Sequence, residues 1–104
     1  MSIANTILEQ LGGRMFTMMT GARDLLSTGD TAKGPGSLRF RVPIGKGKSR
    51  IVDIQLTHLD VYTVSFYTYQ GKLLSQHEDI YEDRLRWLFE RETGLRTSLT
   101  SIPA

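Results

Sequence analysis

Acid–base, nucleophilic and metal chemistry usually rests on histidine, cysteine and paired carboxylates, and this chain offers little of any. It has no cysteine, which removes thiolate nucleophiles, thiolate zinc sites, iron–sulfur clusters and disulfides together. Its only imidazoles are His58 and His77. His58 falls in an expected turn and His77 precedes the acidic Glu78-Asp79 pair. Neither has a second histidine or carboxylate at metal-binding spacing, so both read as ordinary surface histidines. No serine sits in a nucleophile-elbow pattern or beside an evident base. Gly47-Lys48-Ser49 matches the last three positions of a phosphate-binding loop. That loop needs a glycine five residues earlier, where Val42 stands, and a helix afterwards, where Arg50-Ile51-Val52-Asp53-Ile54 reads as strand. The carboxylates of the last helical segment alternate with Arg84, Arg86 and Arg91, which hold them ionised and unsuited to acid catalysis. No catalytic residue, cofactor site or metal site is expected, and binding is the chemistry left.

For binding, the sequence supplies one segregated cationic run. Between Asp30 and Asp53 lie Lys33, Arg39, Arg41, Lys46, Lys48 and Arg50, with no acid among them. Folded as a hairpin, Arg39 and Arg41 share the solvent face of its first strand, and Arg39, Arg41, Lys46, Lys48 and Arg50 form a compact positive surface for phosphate or an acidic protein. The plainer reading is a solvated hairpin whose lysines discourage edge-to-edge strand pairing. Tyr67 and Tyr69 fall on the outer face of the following strand, positioned to stack on bases if that face is open. Trp87 lies about 120° round its helix from the apolar stripe. It either widens the core face or anchors a protein contact.

The elements that position these residues follow from periodicity. Ile3, Ile7, Leu8 and Leu11 mark a helix over 3–11, stopped by Gly12-Gly13. Met15, Phe16, Met18 and Met19 fit neither period cleanly. The stretch 14–19 is assigned to a strand, with its methionines as core filler. Residues 20–36 read as loop, flexible at about 27–36, with Ala22 to Leu26 an apolar interruption. Leu38, Phe40 and Val42 alternate with polar residues until Pro43 interrupts them. Val52, Ile54 and Leu56, and then Tyr62, Val64 and Phe66, repeat the pattern. Residues 72–77 supply a shorter edge strand after the Gln70-Gly71 turn. A last helix starts at Ile80 or Tyr81, with Asp79 as N-cap and Glu82 completing a capping box. Tyr81, Leu85, Leu88 and Phe89 share its apolar face, and Glu82, Arg86 and Glu90 form a charged ladder. Gly94 closes it, Leu95 packs back over the cap, and 97–104 reads as a tail. The expected fold is α+β: an antiparallel meander of about four to five strands with an N-terminal and a C-terminal helix on one face.

At 104 residues, 39% apolar and 23% charged, with a net charge of +2, the chain is sized and composed as one globular domain over 1–104. No stretch approaches the roughly 20 apolar residues of a membrane span. Met1-Ser2-Ile3-Ala4-Asn5-Thr6 lacks the features of a secretory signal, so a cytoplasmic setting is expected.

Three blocks carry a resemblance: Gly12-Gly13-Arg14-Met15-Phe16-Thr17-Met18-Met19-Thr20-Gly21-Ala22, Asp60-Val61-Tyr62-Thr63-Val64-Ser65-Phe66, and Tyr81-Glu82-Asp83-Arg84-Leu85 continuing through Phe89-Glu90-Arg91-Glu92-Thr93-Gly94-Leu95. Together they resemble a group of short proteins of unassigned function encoded by phages and other mobile elements. The resemblance implies a genomic context and brings no catalytic residues with it. It points to a non-enzymatic accessory protein in the cytoplasm of a bacterial host. Such a protein would bind a host protein or nucleoprotein complex, with counter-defence of the anti-CRISPR kind its most concrete form. Arg39, Arg41, Lys46, Lys48 and Arg50 would steer the encounter, with Tyr67 or Trp87 as anchor. The alternative is a small basic module that binds DNA or RNA directly.

Overall fold

The computed structural model describes residues 3–45 and 47–97, so Lys46 and the tail beyond Thr97 lie outside the described residues. The chain opens with two short helices, α1 (Ile3–Leu11) and α2 (Gly13–Thr20). Five strands follow: β1 (Arg23–Thr28), β2 (Gly36–Gly45), β3 (Lys48–Leu56), β4 (Tyr62–Thr68) and β5 (Leu73–Ile80). A single 3-10 turn (Glu82–Arg84) leads into the last helix, α3 (Leu85–Thr93). The strands form one antiparallel sheet in chain order, a simple meander. The α+β architecture with both terminal helical regions on one face is thus as the sequence implies.

Strand alternation builds the core. Leu38, Phe40 and Val42 of β2 sit beside Ile54 and Val52 of β3, which face Val64 and Phe66 of β4. All are buried in one cluster with Ile7 and Leu11 of α1, Phe16 of α2, and Leu85, Leu88 and Phe89 of α3. At its centre Phe16 meets Phe40 and Phe89 edge-on, with ring centroids 5.3 and 5.1 Å apart, a geometry that places positive ring edges against negative ring faces. The opposite sheet face carries no helix among the described residues.

Several local assignments change. Residues 14–19 belong to helix α2, not to a strand. Gly13, Phe16 and Thr20 fall at i, i+3 and i+7 and are its buried positions. Because Gly12 and Gly13 both take positive φ, the pair joins two helices where the sequence suggested a helix-to-strand turn. The methionines are not core filler: Met15 and Met18 are exposed, the latter at 71%. Of the apolar interruption at Ala22 to Leu26, Ala22 packs against the core, and Arg23 to Leu26 begin β1, whose six residues are all exposed. It is an edge strand with an irregularity between Arg23 and Leu26, where Asp24 takes a φ of 56°. Ser27 and Thr28, placed in the loop, complete that strand. The segment that follows closes on itself through reciprocal backbone hydrogen bonds between Thr31 and Gly34.

Pro43 does not end β2, which runs on to Gly45. The proline lies beyond the last β1 pairing, Arg23 with Arg41, and so has a ladder neighbour on one side only. Strand β5 extends to Ile80, with Asp79 inside it at a φ of 56°, so Asp79 is not an N-cap. Tyr81 leaves the apolar face and is exposed, and Glu82 accepts a hydrogen bond from Gln10 Nε2 at 2.8 Å. Glu90 accepts from the Thr97 backbone N–H at 2.8 Å and from its hydroxyl at 3.0 Å. Thr97 is fully buried and is therefore not part of a tail.

Candidate functional site

The sheet face left open by the helices brings together three of the sequence-derived binding residues, Arg39, Arg41 and Tyr67. Strand parity puts Arg39 and Arg41 of β2, Ile51, Asp53 and Gln55 of β3, and Thr63, Ser65 and Tyr67 of β4 on this side. Arg39 stands directly opposite Asp53 in the register, and its Nε lies 3.5 Å from the carboxylate. Its guanidinium carbon also lies over the Tyr67 ring, 5.5 Å from the centroid. Arg41 is held by Asp24 of β1 at 3.6 Å and donates from Nη1 to Ser49 Oγ at 3.4 Å. Each pair is partly exposed and contributes little to stability. Their effect is on charge: both arginines are locally matched.

Beside these residues lies a groove of about 490 Å³. Its floor is Ser37, Asp53 and Gln55, and its rim is Leu26, Arg39 and the 31–33 turn that carries Lys33. Gln55 braces one wall by donating to the carbonyls of Gly36 and Leu56 at 2.9 and 2.8 Å. The groove thus offers hydroxyl, amide and carboxylate groups next to a cation and an exposed leucine.

The five cations expected to form a compact surface do not share one. Arg50 pairs with Val42 and Thr68 in the register, which sends it to the helix side of the sheet. There its Nε is buried without a hydrogen-bond partner. Lys48 is exposed at the hairpin end, and Lys46 lies outside the described residues. Nor do lysines guard a sheet edge here, since the β2–β3 hairpin is internal and β1 and β5 are the edges. Tyr69 is exposed beyond the end of β4. Trp87 stays outside the core, half exposed on α3 between Arg84 and Arg91.

His77 is not a free surface imidazole. It faces Phe66 edge-on across the β4–β5 ladder, and its Nε2 lies 2.7 Å from Glu92 Oε1 of α3. Ser75 Oγ donates to the same oxygen at 2.8 Å. These hydrogen bonds, His77 first and then Ser75, hold the Glu92 carboxyl below its ordinary range. In a nucleophilic triad the imidazole stands between hydroxyl and acid. Here the acid stands between them, and the trio ties α3 to β5. At the other end of the molecule, a recess of about 600 Å³ runs between α1 and the β3–β4 turn, lined by Gln10, Leu59, Tyr62 and Tyr81. The Tyr62 hydroxyl donates to Gln10 Oε1 there, and burial raises its pKa above the ordinary phenol value. Among the described residues no three histidine or acidic side chains are grouped to hold a metal ion. No helix among them is long and apolar enough to cross a membrane.

Nothing matches the chain among protein-family models, curated proteins or solved structures.

Proposed function

We propose that this protein is a non-catalytic binding module that docks a host protein or nucleoprotein complex on the open face of its sheet. Its setting would be that of a phage or mobile-element accessory protein in the host cytoplasm, with counter-defence of the anti-CRISPR type as the specific form. One observation carries the reading: Arg39 lies over Tyr67 beside the Lys33–Asp53 groove, on a face that no helix among the described residues covers. An ordered arginine–aromatic pair supports tight contact because little side-chain freedom is lost on binding.

The pairing of Arg39 with Asp53 and of Arg41 with Asp24 favours a protein surface, whose mixed charges can match these pairs, over bare phosphate. The test is capture of a partner from host lysate with wild-type protein and with a folded Arg39→Glu/Tyr67→Ala variant. The expected result is one protein partner retained by wild type, with the variant at least about thirtyfold weaker, as loss of a hot spot worth about 2 kcal/mol implies. Equal capture by both would reject the face. Direct DNA or RNA binding draws on the exposed Lys33 and Lys48. It would show as a gel shift at low salt that weakens steeply as salt is added.

A further inference from the structure

We infer that the surface of α3 around Trp87 is a second docking site, built to receive an acidic segment of a protein. Arg84, Trp87 and Arg91 lie at i, i+3 and i+7, a single stripe turned away from the buried Leu85, Leu88 and Phe89. The two guanidinium carbons sit 5.7 and 5.1 Å from the indole centroid. The indole is 50% exposed, the state in which tryptophan is costly to leave wet and effective as a contact anchor.

Charge and geometry set the occupant. Arg39 and Arg41 have carboxylate partners, whereas among the described residues no carboxylate lies within ion-pair distance of Arg84 or Arg91. Two arginines gathered at one ring present their guanidiniums together for carboxylates, which guanidinium binds through paired N–H donors. The exposed indole beside them suits an apolar side chain next to the acids.

A nucleic-acid strand fits less well, because base stacking would compete with two guanidiniums already over the ring. The site lies on the helix side of the sheet, opposite the face proposed above, and does not depend on that reading.

Trp87 is the only tryptophan, so its emission reports this site directly. The probes are a short capped peptide of alternating glutamate and leucine, the same peptide with glutamine for glutamate, and a single-stranded oligonucleotide. All are titrated at matched ionic strength. The expected result is a saturable change in emission with the acidic peptide below about 1 mM, none with the glutamine peptide, and roughly tenfold weaker binding for Arg84→Gln/Arg91→Gln with an unchanged circular dichroism spectrum. Calorimetry extends the test to Trp87→Ala, which should lose binding. The Arg39→Glu/Tyr67→Ala variant should respond as wild type, which separates this site from the sheet face. No response to the acidic peptide, an equal response from the double arginine variant, or a response to the oligonucleotide alone would each overturn the proposal.

Discussion

Replacing Gly34 with alanine tests whether the turn that rims the groove is held as tightly as its geometry requires. Gly34 has a φ of 153°, and a β-carbon built on it would lie 1.8 Å from the carbonyl oxygen of Leu56 and 2.9 Å from its carbon. Backbone cannot rotate away as a side-chain tip can, so the turn would have to lift by more than about 1 Å to restore ordinary contact. Lifting it strains the Thr31 N–H to Gly34 carbonyl and Gly34 N–H to Thr31 carbonyl bonds, at 2.9 and 3.1 Å. Adding backbone strain to the weakening of those bonds gives a cost of about 2–4 kcal/mol. The assay is urea unfolding followed by Trp87 emission, where that loss lowers the midpoint by about 1–2 M. Gly29→Ala is the control, because nothing lies within 4 Å of its added carbon. It should be neutral or slightly stabilising through the unfolded chain. Hydrogen exchange gives an independent reading, with the Thr31 and Gly34 amides losing protection in Gly34→Ala. Equal midpoints for the two variants, with those amides still protected, would refute the reasoning.

Phe16→Ala removes the ring that joins Phe40 to Phe89 and should cost about 3–5 kcal/mol, read as a urea midpoint loss or outright failure to fold. Met18→Ala, on the same helix but exposed, should stay within about 0.5 kcal/mol. Glu92→Gln should lose about 1–2 kcal/mol at neutral pH, because a charged acceptor for His77 and Ser75 becomes a neutral one. The carboxyl titrates below its ordinary value in the folded state, so its contribution is whole above that ordinary value and fades as pH falls through the lowered one. The gap between wild type and Glu92→Gln should therefore close in acid unfolding curves; a gap unchanged from neutral pH to about pH 3 would contradict this account. Arg50→Met removes a buried, unpartnered Nε while keeping an apolar stem, so its thermal midpoint should match or exceed that of wild type.

What could be read from the sequence tracks how strongly each segment is divided between core and water. Strands β2, β3 and β4 lie inside the sheet with one apolar face, so their alternation is legible residue by residue. Helix α1 is equally plain because Ala4, Ile7 and Leu11 are all buried. Helix α2 buries only Gly13, Phe16 and Thr20, and a glycine and a threonine do not register as a hydrophobic stripe. The exposed methionines around them imitate a core segment. The spacing of those three residues was the available signal. Strand β1 buries nothing and carries a bulge, so neither period is written in it. The pairing of Ser75 and His77 with Glu92 joins residues at least fifteen apart in sequence, and only the docking of α3 on β5 reveals it.

The basic run shows how a cluster in sequence becomes several environments in space. Successive strand residues face opposite sides, and an antiparallel partner keeps parity across the register. Arg39 and Arg41 are odd-numbered on β2 and pair with Asp53 and Ile51, whereas Arg50 pairs with Val42 and must share its face. A one-residue difference in spacing therefore decides whether a cation meets solvent or the helix layer. A charge reversal across the whole run would mix two effects, since Arg50→Glu would place an acid against the helix side while Arg39→Glu would repel Asp53. Only substitutions confined to Arg39, Arg41 and Tyr67 test the open face. Lost binding in a variant that also carries Arg50→Glu would report on the fold before it reported on the partner.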